Sequence, residues 1–296
     1  MKGVLLVDKP TGMTSHDVVD HVRRAARMRK VGHTGTLDPN ATGLLILCLG
    51  AATRLSDFFV GLDKTYEGTM LFGTVTNSYD MEGEVVEQNE VPPLTEGQVQ
   101  AAFDQFTGPI QQVPPMVSAV KVGGERLYKR ARKGETVERE ARPVHVYEFK
   151  LLELNPPEAF FRLRCSRGTY ARALCHDVGQ VIGCGATLKS LRRTQVGPHT
   201  IDAAAKIDDL ESPADVRAHL MDMGQALDLP AVSVRSFSEN TVVSGGAIGR
   251  SDIADDCPVQ EGWVQMKSEG GNLIALGEVS MVGQGVRIQP KKVFGG

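Results

Sequence analysis

The chain has 296 residues, 41% of them hydrophobic and 23% charged, with a formal net charge of -3. That composition predicts a soluble globular protein built as one large domain and one small one, and no apolar run is long enough to span a membrane. The slight negative charge argues against indiscriminate binding to nucleic acid, but the average conceals segregated segments.

The N-terminal run GVLLVD predicts a strand; it is too short for the apolar core of a secretion signal, so the chain is expected to be cytoplasmic. Thr14 and Asp17 have the spacing of a capping box and open a helix whose buried face is Val18, Val19, Val22, Ala25 and Ala26. Arg23, Arg24, Arg27, Arg29 and Lys30 follow without an intervening acid. Next comes VGHTGTLDPNATGLLILCLG, in which Asp38 separates a Gly-Thr-rich loop from an apolar run. An Asp before Pro39 is first of all a turn, because Asp bonds its own backbone and proline presets φ. LLILCL, apolar on both faces, predicts a buried strand, and KTYEGTMLFG alternates as another. A second capping box, Thr95 to Gln98, opens a helix.

From Lys121 to Arg142 eight Lys or Arg face four Glu, a pattern that suits an RNA-backbone contact and a solvated helix equally. VHVYEFKLLEL and AFFRLRCS predict two strands about the turn Asn155-Pro156-Pro157. The second leads into SRGTYARALCHDVGQVIG, where Tyr170, Ala173, Leu174, Val178 and Val181 keep helical spacing. Tyr170 and Arg172 thus fall in the first turn of a helix just beyond a strand. Between Arg162 and Arg193 seven basic residues meet Asp177 alone, whereas Ile201 to Asp228 holds seven acids against Lys206 and Arg217. Segregation on this scale is compatible with a local polyanion site. After Leu229-Pro230 the runs GWVQMK, NLIALGEVSM and GVRIQP alternate with Gly pairs, as in a small β barrel, which sets a domain boundary at 229/230. The five cysteines form no CxxC pair and are expected to be reduced thiols, and Cys175 beside His176 points away from it on a helix, so no metal site is assigned.

Several stretches, in order, resemble the TruB family of tRNA pseudouridine synthases. DKPTGMTSHDVV is similar to its N-terminal motif, GHTGTLDPNATGLL to its catalytic motif, and RGTYARAL and LRRTQVG to its later active-site motifs. KTYEGTMLFG, TNSYDMEGEV and PPMVSAVKVGGERLYKRARKGE also match in order. One departure is Val117, where the family usually carries an aromatic residue between Met and Ser. The resemblance implies an α+β fold: a pseudouridine synthase core with a mixed, largely antiparallel β-sheet flanked by helices over 1–229, and a small β-rich, PUA-like RNA-binding domain over 230–296. It implies isomerisation of uridine-55 in the T-loop of tRNA.

Breaking N1–C1′, turning the uracil over and joining C5 to C1′ requires a carboxylate near the sugar, a closed pocket and control of the C5 proton. By resemblance the carboxylate is Asp38, acting either as nucleophile at C1′ or as base at C2′, and Arg172 pairs with it to hold its pKa down. Tyr66 offers a ring and a hydroxyl to the uracil, Tyr170 packs beside it, and Leu191 forms an apolar wall. His33 occupies the space that a flipped nucleotide leaves, where stacking on an aromatic ring offsets about 1–3 kcal/mol of the flipping cost. Asp80 reaches the substrate or another side chain, Lys9 and Pro10 shape the loop at the pocket and Lys9 is assigned to substrate binding, and Gly32, Gly35 and Gly43 let the backbone approach RNA. The expected partner is tRNA, through its T-arm, its elbow and its acceptor end, with no DNA, membrane, guide RNA, metal or cofactor; the chain is expected to be a monomer. Two rivals are an RNA-folding protein that needs no catalysis and the guide-dependent branch of the superfamily.

Overall fold

Residues 1–116, 121–122, 125–126, 139–254, 260–283 and 285–294 are described by a computed structural model, with backbone only at 121–122, 125–126 and 282. Val117, Cys257 and most of the basic run from Lys121 to Arg142 lie outside the residues so described.

The run LLILCL becomes the strand Thr42–Leu49, and its alternation explains the arrangement of the whole molecule. Leu44, Ile46 and Cys48 join one core; Leu45, Leu47 and Leu49 join another on the opposite face. The second core is closed by Val18, Val19 and Val22 of the helix Ser15–Ala25, whose start carries the expected capping box between Thr14 and Asp17. The first core is closed partly by Leu273, Leu276 and Phe294 from the far end of the chain. Burial of each such side chain contributes about 2 kcal/mol.

Thr42–Leu49 lies within a ten-stranded sheet whose main path runs Ala205–Lys206, Gly3–Lys9, Thr42–Leu49, Ala186–Val196, Lys64–Phe72, Glu158–Cys165, Arg142–Asn155 and Gly108–Gln112. The sheet is mixed and largely antiparallel, as expected. Its one parallel join near the centre is short, Arg192 and Arg193 opposite Thr42 and Gly43. Gly43 has φ +102, and a Cβ there would meet the Arg193 carbonyl oxygen at 2.3 Å. The close approach that this glycine permits is therefore to Arg193 rather than, as expected, to RNA.

The helix Ala171–Ile182 starts one turn past the strand Glu158–Cys165 and ends at Gly183 in a left-handed cap, φ +93. Ala171, Leu174, Cys175 and Val178 form its packed face. Val181, expected on that face, is 44% exposed at its edge, and Ile182 packs against the core instead.

The small second sheet begins at Ala231 and has the order Ala231–Val234, Gly262–Ser268, Leu273–Val282, Gly285–Val293, Ile248–Gly249. It curls until Val234 bridges Ile253, close to the opposite edge. It is docked rather than tethered: Trp263 meets Phe58 edge-on with ring centroids 5.0 Å apart, and Lys292 reaches both Asp57 and the Arg54 carbonyl.

Candidate active site

Asp38 sits on the loop between the strands Val31–His33 and Thr42–Leu49, and buried side chains hold that loop by its backbone. Ser15 Oγ accepts the Leu37 N–H at 2.8 Å and donates to the Leu37 carbonyl at 3.1 Å. Lys9 Nζ donates to the Pro10 and Pro39 carbonyls at 2.9 and 3.0 Å, and the Gly12 N–H shares the second of these acceptors. The Asp38 carbonyl accepts the Ala41 N–H at 3.1 Å. Its backbone is thus the turn that Asp-Pro predicts, while its side chain, 46% exposed, stays free to project into a cleft of about 800 Å³.

Across the cleft Arg172 enters from the first turn of its helix, with its side chain 5% exposed. Its Nη2 lies 3.0 Å from Asp38 Oδ2, and its Nη1 donates to Asp80 Oδ2 at 3.3 Å. The pairing with Asp38 is the expected one, but the direction of the pKa is not. Burial among the cleft walls pushes the Asp38 carboxyl above its ordinary value, against the pull of Arg172; Asp80 adds to the rise and Lys9 opposes it. One guanidinium divided between two carboxylates does not cancel the desolvation of the first.

Tyr66, on the strand Lys64–Phe72, stands opposite Arg193 in register, and burial pushes its phenol up, keeping the hydroxyl protonated. Leu191 lies two residues from Arg193 on the neighbouring strand, and Tyr170 caps the helix that carries Arg172. His33 lines the cleft, its imidazole held below its ordinary pKa by burial first and by Arg193 and His16 next. A neutral ring there suits stacking. His33, Asp38, Tyr66, Tyr170, Arg172 and Leu191 therefore share one cleft.

Two expected contacts lie elsewhere. Lys9 has 0% of its surface exposed and lies beneath the loop, so the substrate contact assigned to it becomes support for Pro39. Its burial lowers its pKa to about 8. Asp80 does not line the cleft; it reaches another side chain, Arg172.

Sequence reasoning missed Arg193 and Gln112. Arg193 is 2% exposed and donates through Nε to the Leu44 carbonyl at 2.7 Å and through Nη2 to the Gly35 carbonyl at 3.1 Å, which ties the Asp38 loop to the central join. Gln112 brackets the Tyr170 backbone, accepting its N–H at 2.8 Å and donating to its carbonyl at 3.1 Å. The available signal for Arg193 was period two: Leu191 and Arg193 share a face, while Arg192 turns outward to a two-point pair with Asp8 at 2.7 and 3.1 Å. Cys175 is fully buried, and burial pushes its thiol up, so it offers no nucleophile.

The chain matches the family model described as TruB family pseudouridylate synthase, N-terminal domain, over residues 23–171. Residues 172–229 match the model described as tRNA pseudouridylate synthase B C-terminal domain. It is similar to the tRNA pseudouridine synthase B of Opitutus terrae, 51% identical over 72% of this chain and 88% of that protein. The protein of the same name from Pseudomonas putida is 40% identical over 99% of this chain and 96% of its own length. Among solved structures, the fold is similar to a chain of an H/ACA RNP bound to a substrate RNA containing 2'-deoxyuridine, with a TM-score of 0.75 and 25% identity over 99% of this chain and 84% of that one. A chain of a Cbf5-Nop10-Gar1 complex gives a TM-score of 0.75 and 28% identity over 98% of this chain and 84% of that one.

Proposed function

The chain belongs to the TruB family of pseudouridylate synthases, and from that membership we propose that this cleft converts uridine-55 in the T-loop of tRNA to pseudouridine, with Asp38 as the carboxylate on which turnover depends. The enzyme is an isomerase of tRNA, working here as a cytoplasmic monomer on a flipped nucleotide, without guide RNA.

The observation that carries the reading is the division of labour at Asp38: its backbone is fixed from below, and its carboxylate is left to Arg172 and the open cleft. In the reaction the N1–C1′ bond breaks, the uracil rotates within the cleft, C5 bonds to C1′, the C5 proton leaves and N1 ends protonated. Attack at C1′ and removal of the C2′ proton both need Asp38 ionised, and the paired Arg172 pulls it toward that form against the desolvation that raises its pKa. Tyr66 and Leu191 enclose the detached base, and the protonated phenol offers a hydrogen bond to it. His33 stacks where the flipped nucleotide was. The T-arm and elbow fill the cleft face, and the acceptor end lies along the second sheet, whose docking on Phe58 and Asp57 fixes its place relative to the cleft.

Tritium release from a bare tRNA transcript labelled at C5 of uridine tests this directly. Wild-type protein alone is expected to release about one tritium per tRNA, and Asp38→Asn to lose turnover by about 10³-fold or more while binding tRNA nearly as well. Turnover retained in Asp38→Asn, or a large loss of affinity, would overturn the role given to Asp38. Binding without release by either protein would favour the RNA-folding reading, and release only when a guide RNA is added would favour the guide-dependent one.

A further inference from the structure

Outside the cleft, Tyr79 has φ +66, in the left-handed region that a bulky residue rarely adopts. Its ring stacks on His176 with centroids 4.0 Å apart and planes 18° from parallel. His176 follows Arg172 by four residues on the helix Ala171–Ile182, so the two side chains leave the same face one turn apart. Tyr79 and Asp80 are likewise consecutive on the loop they meet. The helix therefore grips this loop twice, Arg172 on Asp80 and His176 on Tyr79.

The rest of the loop is arranged around that grip. Ser78 Oγ and the Glu82 N–H both donate to Asp80 Oδ1, at 2.5 and 3.1 Å, leaving Oδ2 to Arg172. Thr76 Oγ1 donates to the Asp80 carbonyl at 2.7 Å, and the Leu188 N–H donates to the Tyr79 carbonyl at 3.0 Å, so the left-handed residue is anchored to the sheet on its own peptide. Glu82 Oε1 accepts the Asn40 N–H at 3.3 Å, two residues past Asp38. His176 Nδ1 is buried without a hydrogen-bond partner, which leaves the ring face as its contact with the loop. Neither Tyr79 nor His176 lines the cleft.

We propose that His176 and Tyr79 are positioning residues for the isomerisation: their stack holds the loop in the left-handed conformation that presents Asp80 to Arg172, and Arg172 so braced is aimed at Asp38. This rests on the reading of Asp38 given above. An aromatic pair of this kind has the strength to shift such an equilibrium by about tenfold.

The test combines His176→Ala, His176→Phe and Tyr79→Gly in single-turnover tritium release with hydrogen exchange at the Glu82 and Leu188 amides. His176→Ala and Tyr79→Gly are expected to lower the chemical rate about tenfold with tRNA affinity unchanged, and to speed exchange at both amides. His176→Phe, which keeps a ring and removes the nitrogens, is expected to restore both. In an Asp80→Asn background His176→Ala should cost almost nothing further in rate, since its effect runs through Asp80. An unchanged rate in folded His176→Ala, a failure of His176→Phe to rescue, or the same tenfold loss in the Asp80→Asn background would each overturn the proposal. Exchange at the two amides is read without turnover, so a wrong role for Asp38 would leave that result standing, and the two failures are distinguishable.

Discussion

The two walls of the cleft hold their functional groups by different means. On the wall that carries Asp38, buried Lys9, Ser15 and Arg193 bond to carbonyls and amides of the loop and none takes the reactive carboxylate. On the facing wall Arg172 meets two carboxylates side chain to side chain. The first wall fixes where the carboxylate is; the second sets how readily it carries charge. Substitutions of Ser15 or Arg193 should therefore cost stability and rate with little change in pH dependence, and those on the second wall should move the pH dependence itself; Lys9, which also draws the Asp38 carboxyl down, belongs to both.

The largest effect is expected at the second wall. Arg172→Gln leaves Asp38 and Asp80 without their common cation, and should lower turnover by about 10²–10³-fold. Because Arg172 pulls the Asp38 carboxyl down, its loss should also move the acid limb of the rate profile to higher pH. A rate–pH profile with an unmoved limb would break the distinction between the walls. Arg193→Met is the counterpart on the first wall. It strands the Leu44 and Gly35 carbonyls and should cost about 3 kcal/mol by denaturant unfolding. Arg193 is not among the groups that set Asp38, so the limb should stay in place.

How much of this was legible in the sequence divides along similar lines. Asp38, Tyr170 and Arg172 stand in short contiguous motifs: local rules give their backbone setting, a turn at Asp-Pro and a helix start after a strand, and the family resemblance gives their roles. The capping boxes at Thr14 and Thr95 were equally local. What stayed hidden depends on register. Arg193 becomes a site residue only because it pairs opposite Tyr66 and beside Gly43, and a lone arginine otherwise reads as surface. Lys9 was hidden for a related reason: a lysine with no exposed surface contradicts every compositional expectation until the Pro39 carbonyl above it is seen. The grip of His176 on Tyr79 joins positions 97 residues apart and has no one-dimensional trace.

Lys9 also gives the next prediction in size. Lys9→Met removes both bonds to the carbonyls at Pro10 and Pro39 and should lower stability by about 2 kcal/mol near neutral pH. The wild-type lysine is itself pH-sensitive: its pKa is about 8 when folded and 10.5 when free, so the unfolded chain binds more protons between those values. Its contribution to stability should accordingly improve as pH rises through that window, and Lys9→Met should flatten the rise. Urea unfolding at pH 7.5 and pH 10 measures both.

The smallest effect is the sharpest test of the facing wall, because it has the opposite sign to Arg172→Gln. Asp80 raises the Asp38 carboxyl by direct repulsion and also takes part of the guanidinium. Asp80→Asn keeps the shape, removes the repulsion and leaves Asp38, of the two, as the carboxylate facing the guanidinium charge. The carboxylate required for turnover is present above its folded pKa and lost as pH falls through it, so a lower pKa extends activity toward acid. The acid limb should move to lower pH. Whatever rate Asp80→Asn loses by loosening Arg172 appears at the plateau, whereas the charge effect appears only in the position of the limb. A limb that moves up in Asp80→Asn, as in Arg172→Gln, would mean that Asp80 acts on Asp38 only by bracing the arginine, and that the charge balance assigned to this wall is wrong.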